Sequence, residues 1–316
     1  MKRKIKILIS FFGVIIYNIF KTDYLLRIIK IKISKNVKIK KTILFGNIVI
    51  KNMTKITDSQ LTGQITIKSE ITLNKSILYG TVLLNNKSTI NSSELVGVQI
   101  IGTHTEITDS KLTHSIVIGD NVVLEGCILT GSITIGNNSK LINNGLVLSG
   151  NIEIGRFSTL NGPNLDIYAA INKVKIGNFC SIARNVAFQE YNHKLNRVST
   201  YHFSSNIFHE NHISDIYSNG DIIIENDVWI GTQCVILSGA HISTGAIVAA
   251  NSVVTGFIPP YAIVAGSPAK ILKYRFEENV INELLTLEWW NWDVEKIMRN
   301  KSFLLSKNID TNLVVN

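Results

Sequence analysis

Four of the seven histidines fall within one segment that follows no regular pattern. His193, His202, His209 and His212 all lie between residues 189 and 221. An imidazole changes protonation near neutral pH, so a histidine here is suited to take a proton from a substrate hydroxyl. Long loops that leave a regular scaffold often carry function. We therefore expect the chemistry of the protein to involve this segment.

Other chemistries find little support in the residue spacing. His209 and His212 stand three positions apart, but no third or fourth ligand follows at zinc spacing, so no metal is expected. The cysteines Cys127, Cys180 and Cys234 form no CxxC pair, and we interpret them as small core residues of a reducing compartment. No Ser/His/acid or Cys/His constellation indicates a covalent acyl-enzyme.

An internal repeat predicts the scaffold that holds the loop. One apolar position recurs seven times at steps of 17 residues, and two more follow it after six and eleven residues. Three inward positions per coil predict a parallel β-solenoid, because a single coil cannot bury its apolar corners alone. The three sets are Ile33, Ile50, Ile67, Leu84, Ile101, Ile118 and Ile135; Ile39, Ile56, Leu73, Ile90, Ile107, Leu124 and Leu141; and Leu44, Leu61, Leu78, Leu95, Leu112, Leu129 and Leu146.

Glycines recur in the same repeat, thirteen residues after the first apolar position in five of the coils. They are Gly46, Gly63, Gly80, Gly97 and Gly131. Glycine tolerates positive φ, so we expect these positions to form corners in that conformation.

The step shortens to six residues after the loop. Apolar residues occupy every sixth position, and a small residue follows four positions after each of the first five. This pattern predicts hexapeptide coils with tight corners. The apolar residues are Ile224, Ile230, Ile236, Ile242, Val248 and Val254, and the small ones are Val228, Cys234, Ala240, Ala246 and Ser252. Beyond Ala269 the apolar spacing becomes three and four, which predicts C-terminal helices that cap the solenoid.

The positive charge of the chain is concentrated at its N-terminus. The net charge is +9, but residues 1–41 contain twelve Lys/Arg and one acid, so the rest carries −2. A nucleic-acid partner is therefore not expected. A basic amphipathic helix over residues 1–30, lying on the inner face of the cytoplasmic membrane, is one interpretation, and a solvated helix capping the solenoid is another; a transmembrane span or a signal peptide is the third. The first two place the protein in the cytoplasm.

A series of motifs in the C-terminal half resembles the xenobiotic (streptogramin/chloramphenicol-type) hexapeptide acetyltransferases. The motifs run in family order over about residues 174–300. They are Ile176-Gly177-Asn178-Phe179-Cys180-Ser181, Asn192-His193, Ser199-Thr200-Tyr201, Asn226-Asp227-Val228-Trp229-Ile230-Gly231, Ala249-Ala250-Asn251-Ser252, Gly266-Ser267-Pro268-Ala269-Lys270 and Trp289-Trp290-Asn291-Trp292. The resemblance implies a left-handed β-helix, a homotrimer and acetyl-CoA sites at the subunit interfaces. The additional 17-residue coils make the chain look more like the sugar O-acetyltransferases of capsule and O-antigen synthesis.

The same resemblance implies roles for single residues. His193 matches the general base, and Asn192 and Tyr201 are expected to touch the acceptor. Cofactor-binding positions are Trp229 beside the thioester, Thr232 and Ala250 along the pantetheine arm, and Thr255 at its far end. The family often has Lys after that threonine, where this chain has Gly256. Lys270, Lys273 and Arg275 are therefore the candidates for binding the nucleotide phosphates.

We expect an all-β solenoid in four parts, with residues 1–30 as a basic helix and 31–173 as 17-residue coils. Residues 174–272 form the catalytic coils with the loop 189–221, and 273–316 form helices and a tail. The favoured function is transfer of acetyl from acetyl-CoA to a sugar hydroxyl, with a carbohydrate acceptor. Acetylation of an antibiotic, N-acetylation of an amino sugar, and a non-enzymatic β-helix scaffold are the alternatives.

Overall fold

The computed structural model describes residues 31–43, 46–142, 145–163, 165–307 and 309–315. These residues belong to two compact units with their boundary after Asn138. The predicted helix over residues 1–30 and the ladder residue Leu44 lie outside the described residues.

The first unit consists of short parallel strands from successive coils. One set pairs in the order β1-β2-β3-β5-β7-β9-β11 and a second in the order β4-β6-β8-β10. The pairs are shifted by 17 residues, as Ile48 with Ile65. The strands are β1 Ile31–Ile33, β2 Gly46–Ile50, β3 Gly63–Ile67, β4 Thr72–Leu73, β5 Leu78–Leu84, β6 Thr89–Ile90, β7 Leu95–Ile101, β8 Glu106–Ile107, β9 Thr113–Ile118, β10 Val123–Leu124 and β11 Leu129–Ile135.

The predicted ladder forms the core of this unit. From Ile50 to Ile135, the first-position residues are at most 1% exposed. Ile33 in the first described coil is 39% exposed. Hydroxyl side chains at another buried position reach the next coil, as Thr105 Oγ1 donates to Gly119 O at 2.8 Å. Stacking thus buries the apolar side chains and satisfies the polar groups between coils.

The prediction of positive φ at the ladder glycines is wrong. Positive φ occurs instead on residues with side chains, and one such position recurs every 17 residues, at Asn36, Met53, Glu70, Lys87, His104, Asn121 and Asn138, with φ between 53° and 62°. Gly97 serves a different need, because a Cβ there would lie 2.4 Å from His114 O in the next coil. This glycine permits the close approach of two backbones.

The second unit has three faces per coil. The parallel sets are β13-β16-β21-β24-β27, β12-β14-β17-β22-β25-β28 and β18-β23-β26. Its strands are β12 Lys140–Ile142, β13 Leu148–Ile154, β14 Thr159–Asn161, β15 Ile167–Tyr168, β16 Val174–Ile176, β17 Ser181–Ile182, β18 Ala187–Gln189, β19 Asn192–His193, β20 Ile216–Tyr217, β21 Ile222–Ile224, β22 Trp229–Ile230, β23 Val235–Leu237, β24 His241–Ile242, β25 Ile247–Val248, β26 Val253–Val254, β27 Phe257–Ile258, β28 Ala262–Ala265 and β29 Lys270–Tyr274.

The hexapeptide residues form the core of the second unit as predicted. All six apolar positions from Ile224 to Val254 are fully buried, and the small residues that follow them are at most 1% exposed. Cys180 and Cys234 share this core. Burial raises the pKa of the Cys180 thiol to about 12, against hydrogen bonds that favour its thiolate. The thiol is therefore inert at neutral pH.

The chain leaves the solenoid after β18 and returns at β21, so the excursion covers residues 190–221. Its base is the antiparallel pair β19 and β20, in which His193 lies opposite Ile216. A short helix, α1 (Phe203–Asn206), and a 3-10 turn (His212–Asp215) form the rest of its regular structure. We call residues 190–221 the excursion loop.

The C-terminal segment begins as a strand and not as a helix. β29 pairs antiparallel with β28, so the predicted helical boundary at residue 273 falls inside a strand that covers the edge of β28. Helices follow as α2 (Glu278–Leu287), α3 (Val294–Arg299) and α4 (Lys301–Leu304), with 3-10 turns at Trp289–Asn291 and Thr311–Leu313. The cap is attached through Arg156, whose guanidinium donates to the carbonyls of Trp290 and Trp292.

The predicted class, an all-β parallel solenoid with a helical C-terminal cap, is confirmed. Within the described residues, none of the helices combines the length and apolar character that crossing a bilayer would require.

Candidate active site

Three of the predicted cofactor-binding residues lie together in one groove of the second unit. Trp229, Thr232 and Ala250 line a depression of about 870 Å³. Trp229 lies in β22 between Ser181 and Ile247 of the neighbouring coils, and it is 54% exposed. A large aromatic side chain on the outside of a coil is available to a ligand in this groove.

The backbone of the groove suits an extended ligand. A Cβ on Gly231 would lie 2.6 Å from the nitrogen of Ala250, so glycine lets these coils approach closely. The N–H of Ala250 donates no hydrogen bond within the described part of the chain. The Thr232 hydroxyl, in contrast, donates to Arg184 O at 2.8 Å. A free amide donor in a groove lined by small side chains fits an amide-containing chain such as pantetheine.

The predicted phosphate-binding cations differ in their surroundings. Lys273 lies opposite Ile263, which lines the groove, and Lys270 lies opposite Ala265; both lysines are exposed. The sequence analysis missed Arg184, an exposed cation in the groove lining itself. Its place on a coil corner gave no sequence signal. Phosphate binding by Lys270 and Lys273 stays a prediction, and Arg184 joins them as a candidate.

Arg275 is held in internal contacts. Its guanidinium donates to Asp227 Oδ2 at 2.9 Å and to Gly245 O at 2.7 Å. It also lies over the rings of Tyr261 and Phe276, at 5.2 Å from each centroid. Burial raises the pKa of Asp227 although Arg275 opposes this shift. These contacts favour a structural role for Arg275 over the phosphate binding predicted from the sequence.

Thr255 is exposed and lies directly after β26, on a different face from β22, β25 and β28. It is absent from the groove lining, so the structure does not bring it together with Trp229. Its role at the far end of the cofactor stays a prediction.

One ring nitrogen of His193 contacts a backbone carbonyl, and the other, Nε2, faces His202 Nε2 at 3.4 Å. Nδ1 of His193 lies 2.6 Å from Thr200 O. A carbonyl oxygen only accepts, so Nδ1 carries the proton of the neutral ring and Nε2 keeps its lone pair. The residue is exposed at the base of the excursion loop. This is the tautomer that a general base requires.

The two predicted acceptor contacts are placed on either side of this histidine. Asn192 donates through Nδ2 to Ser238 Oγ at 3.3 Å. Tyr201 is half exposed, and its hydroxyl accepts from Asn206 Nδ2 at 3.2 Å. Both lie in the excursion loop, and their contact with an acceptor stays a prediction.

A second depression, of about 560 Å³, opens directly after His193. It is lined by Lys194, Leu195, Asn196, Arg197 and Tyr217. No residue of the excursion loop lines the groove of Trp229, so the predicted base and the predicted cofactor groove do not share a cavity within one chain. Among the described residues, no group of three or more His, Cys, Asp or Glu has the arrangement of a metal site.

Comparisons with known proteins place the chain among acetyltransferases. A probable macrolide acetyltransferase of Lysinibacillus sphaericus is 43% identical over 144 residues, which are 43% of this chain and 79% of that protein. A chloramphenicol acetyltransferase of Klebsiella aerogenes is 34% identical over 184 residues, covering 52% of this chain and 86% of that protein. No family model matches the sequence. The structure of AntD, an N-acyltransferase from Bacillus cereus in complex with dTDP and 3-hydroxybutyryl-CoA, is 20% identical and covers 63% of this chain and 93% of that chain, with a TM-score of 0.38.

The chain belongs to the hexapeptide-repeat acetyltransferase family of these macrolide and chloramphenicol enzymes. The resemblance stated from the sequence is thereby confirmed. The left-handed sense of the β-helix stays a prediction. The protein is therefore an acetyltransferase. The scaffold alternative is therefore set aside.

Proposed function

We propose that the protein transfers acetyl from acetyl-CoA to a hydroxyl of a sugar in a surface polysaccharide, with His193 as general base. The observation that carries this proposal is the contact of 2.6 Å between His193 Nδ1 and Thr200 O. The hydrogen bond from Nδ1 to Thr200 O leaves the Nε2 lone pair for the hydroxyl proton.

The reaction proceeds by direct attack. Nε2 of His193 takes the hydroxyl proton as the oxygen bonds to the thioester carbonyl carbon. The C–S bond then breaks, and the departing sulfur takes the proton back from the imidazolium, so that His193 returns to its starting state. The Ala250 amide and the exposed face of Trp229 hold the thioester in line with the attacking hydroxyl. Binding energy thereby offsets part of the entropic cost of bringing the two reactants together.

The depression after His193 is suited to a polar acceptor. Lys194, Asn196 and Tyr217 offer an ammonium, an amide and a phenol to sugar hydroxyls. Because the groove and this depression are separate in one chain, we propose a homotrimer in which His193 of one copy faces the groove of the next. We also propose that the basic segment 1–30 keeps the enzyme at the inner face of the cytoplasmic membrane, where anionic lipids attract Lys and Arg.

An antibiotic acceptor is the second candidate, because the relatives that show the family are named for chloramphenicol and a macrolide. N-acetylation of an amino sugar would use the same base and groove. Offering radiolabelled acetyl-CoA together with capsule and O-antigen glycans, amino sugars, chloramphenicol and a macrolide separates these candidates. Label in alkali-labile ester on a glycan supports the proposal, and label on a drug or in an amide alone overturns the choice of acceptor.

Replacing the base tests the mechanism. His193→Ala should lower acetyl transfer by about 10²–10⁴-fold, because general-base catalysis is worth that much. His209→Ala, an exposed histidine of the same loop, is the matched control and should keep wild-type activity. Thermal unfolding of both variants checks that the solenoid is intact. Wild-type transfer by His193→Ala would show that another group removes the proton.

A further inference from the structure

The excursion loop contains a group of three imidazoles, of which the proposed function uses one. The rings of His193 and His202 are 4.4 Å apart at 67° to each other. The ring of His212 lies 4.9 Å from that of His202, and Tyr191 meets His212 edge-on at 5.9 Å. His209, although near in sequence, makes no ring contact within the described part of the chain. The group therefore consists of three of the four loop histidines and leaves out His209.

The open nitrogen of His193 faces a nitrogen of His202. The two Nε2 atoms are 3.4 Å apart, while Nδ1 of His193 is held by Thr200 O. Two facing imidazole nitrogens attract each other when one of them carries a proton and the other does not. The separation is at the long end for a hydrogen bond, so Nε2 of His193 stays open to a hydroxyl while His202 remains within reach of the same proton.

The buried residue Asp215 holds the two histidines at this distance through its backbone and its carboxylate. The backbone oxygen of Asp215 accepts from Lys194 N at 3.2 Å, directly after His193. Its carboxylate accepts from the backbone nitrogens of Ser204 and Ser205, at 3.1 and 3.0 Å, at the start of the helix that follows His202. Arg197 pairs with the same carboxylate at 2.9 Å. The distance between the imidazoles is thus set by a network on both sides.

We propose that His202 is a positioning residue for His193, which orients the base and shares the proton that it takes from the acceptor. This inference rests on the proposed function. When the acceptor O–H bond breaks, Nε2–H forms on His193, and that N–H donates to the lone pair of His202 Nε2. The proton leaves to sulfur when the C–S bond breaks, so neither histidine keeps it.

The pair has few other charged neighbours. In the described residues, the titratable or charged groups around it are His212 beside His202, Tyr191 beside His212, Tyr201 and Lys194 next in the chain, and the ion pair of Arg197 with Asp215. His202 is the group that faces Nε2 of His193.

Diethylpyrocarbonate, which acylates neutral imidazole, tests the pair without any acceptor. The rate of modification at His193 is followed by peptide mass spectrometry from about pH 5 to pH 9, across the range in which histidines titrate. In the wild type we expect the nitrogen of His202 opposite Nε2 to slow the modification of His193. His202→Phe should give a rate at neutral pH at least about threefold higher, since its ring places no nitrogen opposite Nε2.

Two further variants sharpen the result. His202→Gln carries an amide at about the reach of Nε2, and should return the rate toward wild type. His209→Phe changes a histidine outside the group and should leave the wild-type profile. A His202→Phe profile that matches both wild type and His209→Phe overturns the inference. If the His202→Phe profile matches wild type but His193→Ala loses acetyl transfer, the role of His202 is contradicted and the proposed function is not.

Discussion

At the scale of single residues, one position interrupts an otherwise apolar row in the first unit. Gln99 pairs with Val82 on one side and Ile116 on the other, and all three are buried. Its Nε2 is 3.3 Å from Thr113 O, but its Oε1 has no hydrogen-bond partner. A buried carbonyl without a partner costs about 1–3 kcal/mol. Gln99 is therefore a weak point in the stack.

Gln99→Ile should stabilise the protein by about 1–2 kcal/mol, because it removes the unpaired oxygen and restores the residue type of the neighbouring coils. Denaturant unfolding, followed by circular dichroism, measures the change. Gln99→Glu at the same position should act in the opposite direction by burying a charge. An isoleucine variant that is less stable than wild type would show that the hydrogen bond from Gln99 Nε2 to Thr113 O outweighs the cost of the unpaired oxygen.

Residue types predicted the core well and the site only in part. A 17-residue period is a strong signal because each stacked coil must present an apolar residue at the same place, and Ile67 and Leu84 are fully buried accordingly. The tautomer of His193 depends on Thr200 O, a backbone atom of a loop without any period, so no spacing could reveal it. The involvement of Arg275 with Asp227 was hidden for the same reason, since it joins different coils.

At the scale of elements, the excursion loop depends on one carboxylate. Burial opposes the ionisation of Asp215, but hydrogen bonds from Ser205 and Ser204 outweigh it and hold the pKa of Asp215 below its usual range. A lowered pKa in the folded state means that the ionised group stabilises folding above its unfolded pKa of about 3.9. That stabilisation is lost as the pH falls from there through the folded value.

The difference in unfolding temperature between wild type and Asp215→Asn should therefore depend on pH. The difference should be constant near neutral pH and should shrink below about pH 4. Protonation of the Asp215 carboxylate then removes the charge that the asparagine variant already lacks. Differential scanning calorimetry on both proteins measures the difference. Glu190→Gln, which alters another loop carboxylate bonded to the backbone of residues 170–172, shows whether the effect is specific to Asp215. A gap that stays unchanged down to pH 3 would contradict this account.

At the scale of the whole molecule, the proposed site has its two halves in different parts of the surface. The groove of Trp229 takes its lining from coils of the solenoid, and the open nitrogen of His193 lies in the excursion loop. Exposed apolar side chains on that loop, among them Val198, Phe203 and Phe208, are suited to contact a second copy. In a cyclic homotrimer, the same two surfaces would meet three times.

Mixing two inactive variants tests whether the site is shared between copies. His193→Ala lacks the base, and Ala250→Trp fills the groove at an exposed position without touching the core. If each site combines the loop of one copy with the groove of the next, then equal co-expression restores about one quarter of wild-type sites, because half of the loops and half of the grooves are intact. Each variant expressed alone is the control. If each variant carries a different affinity tag, mixed trimers can be purified through both tags. No activity in these mixed trimers would place the base and the groove of each site in one chain.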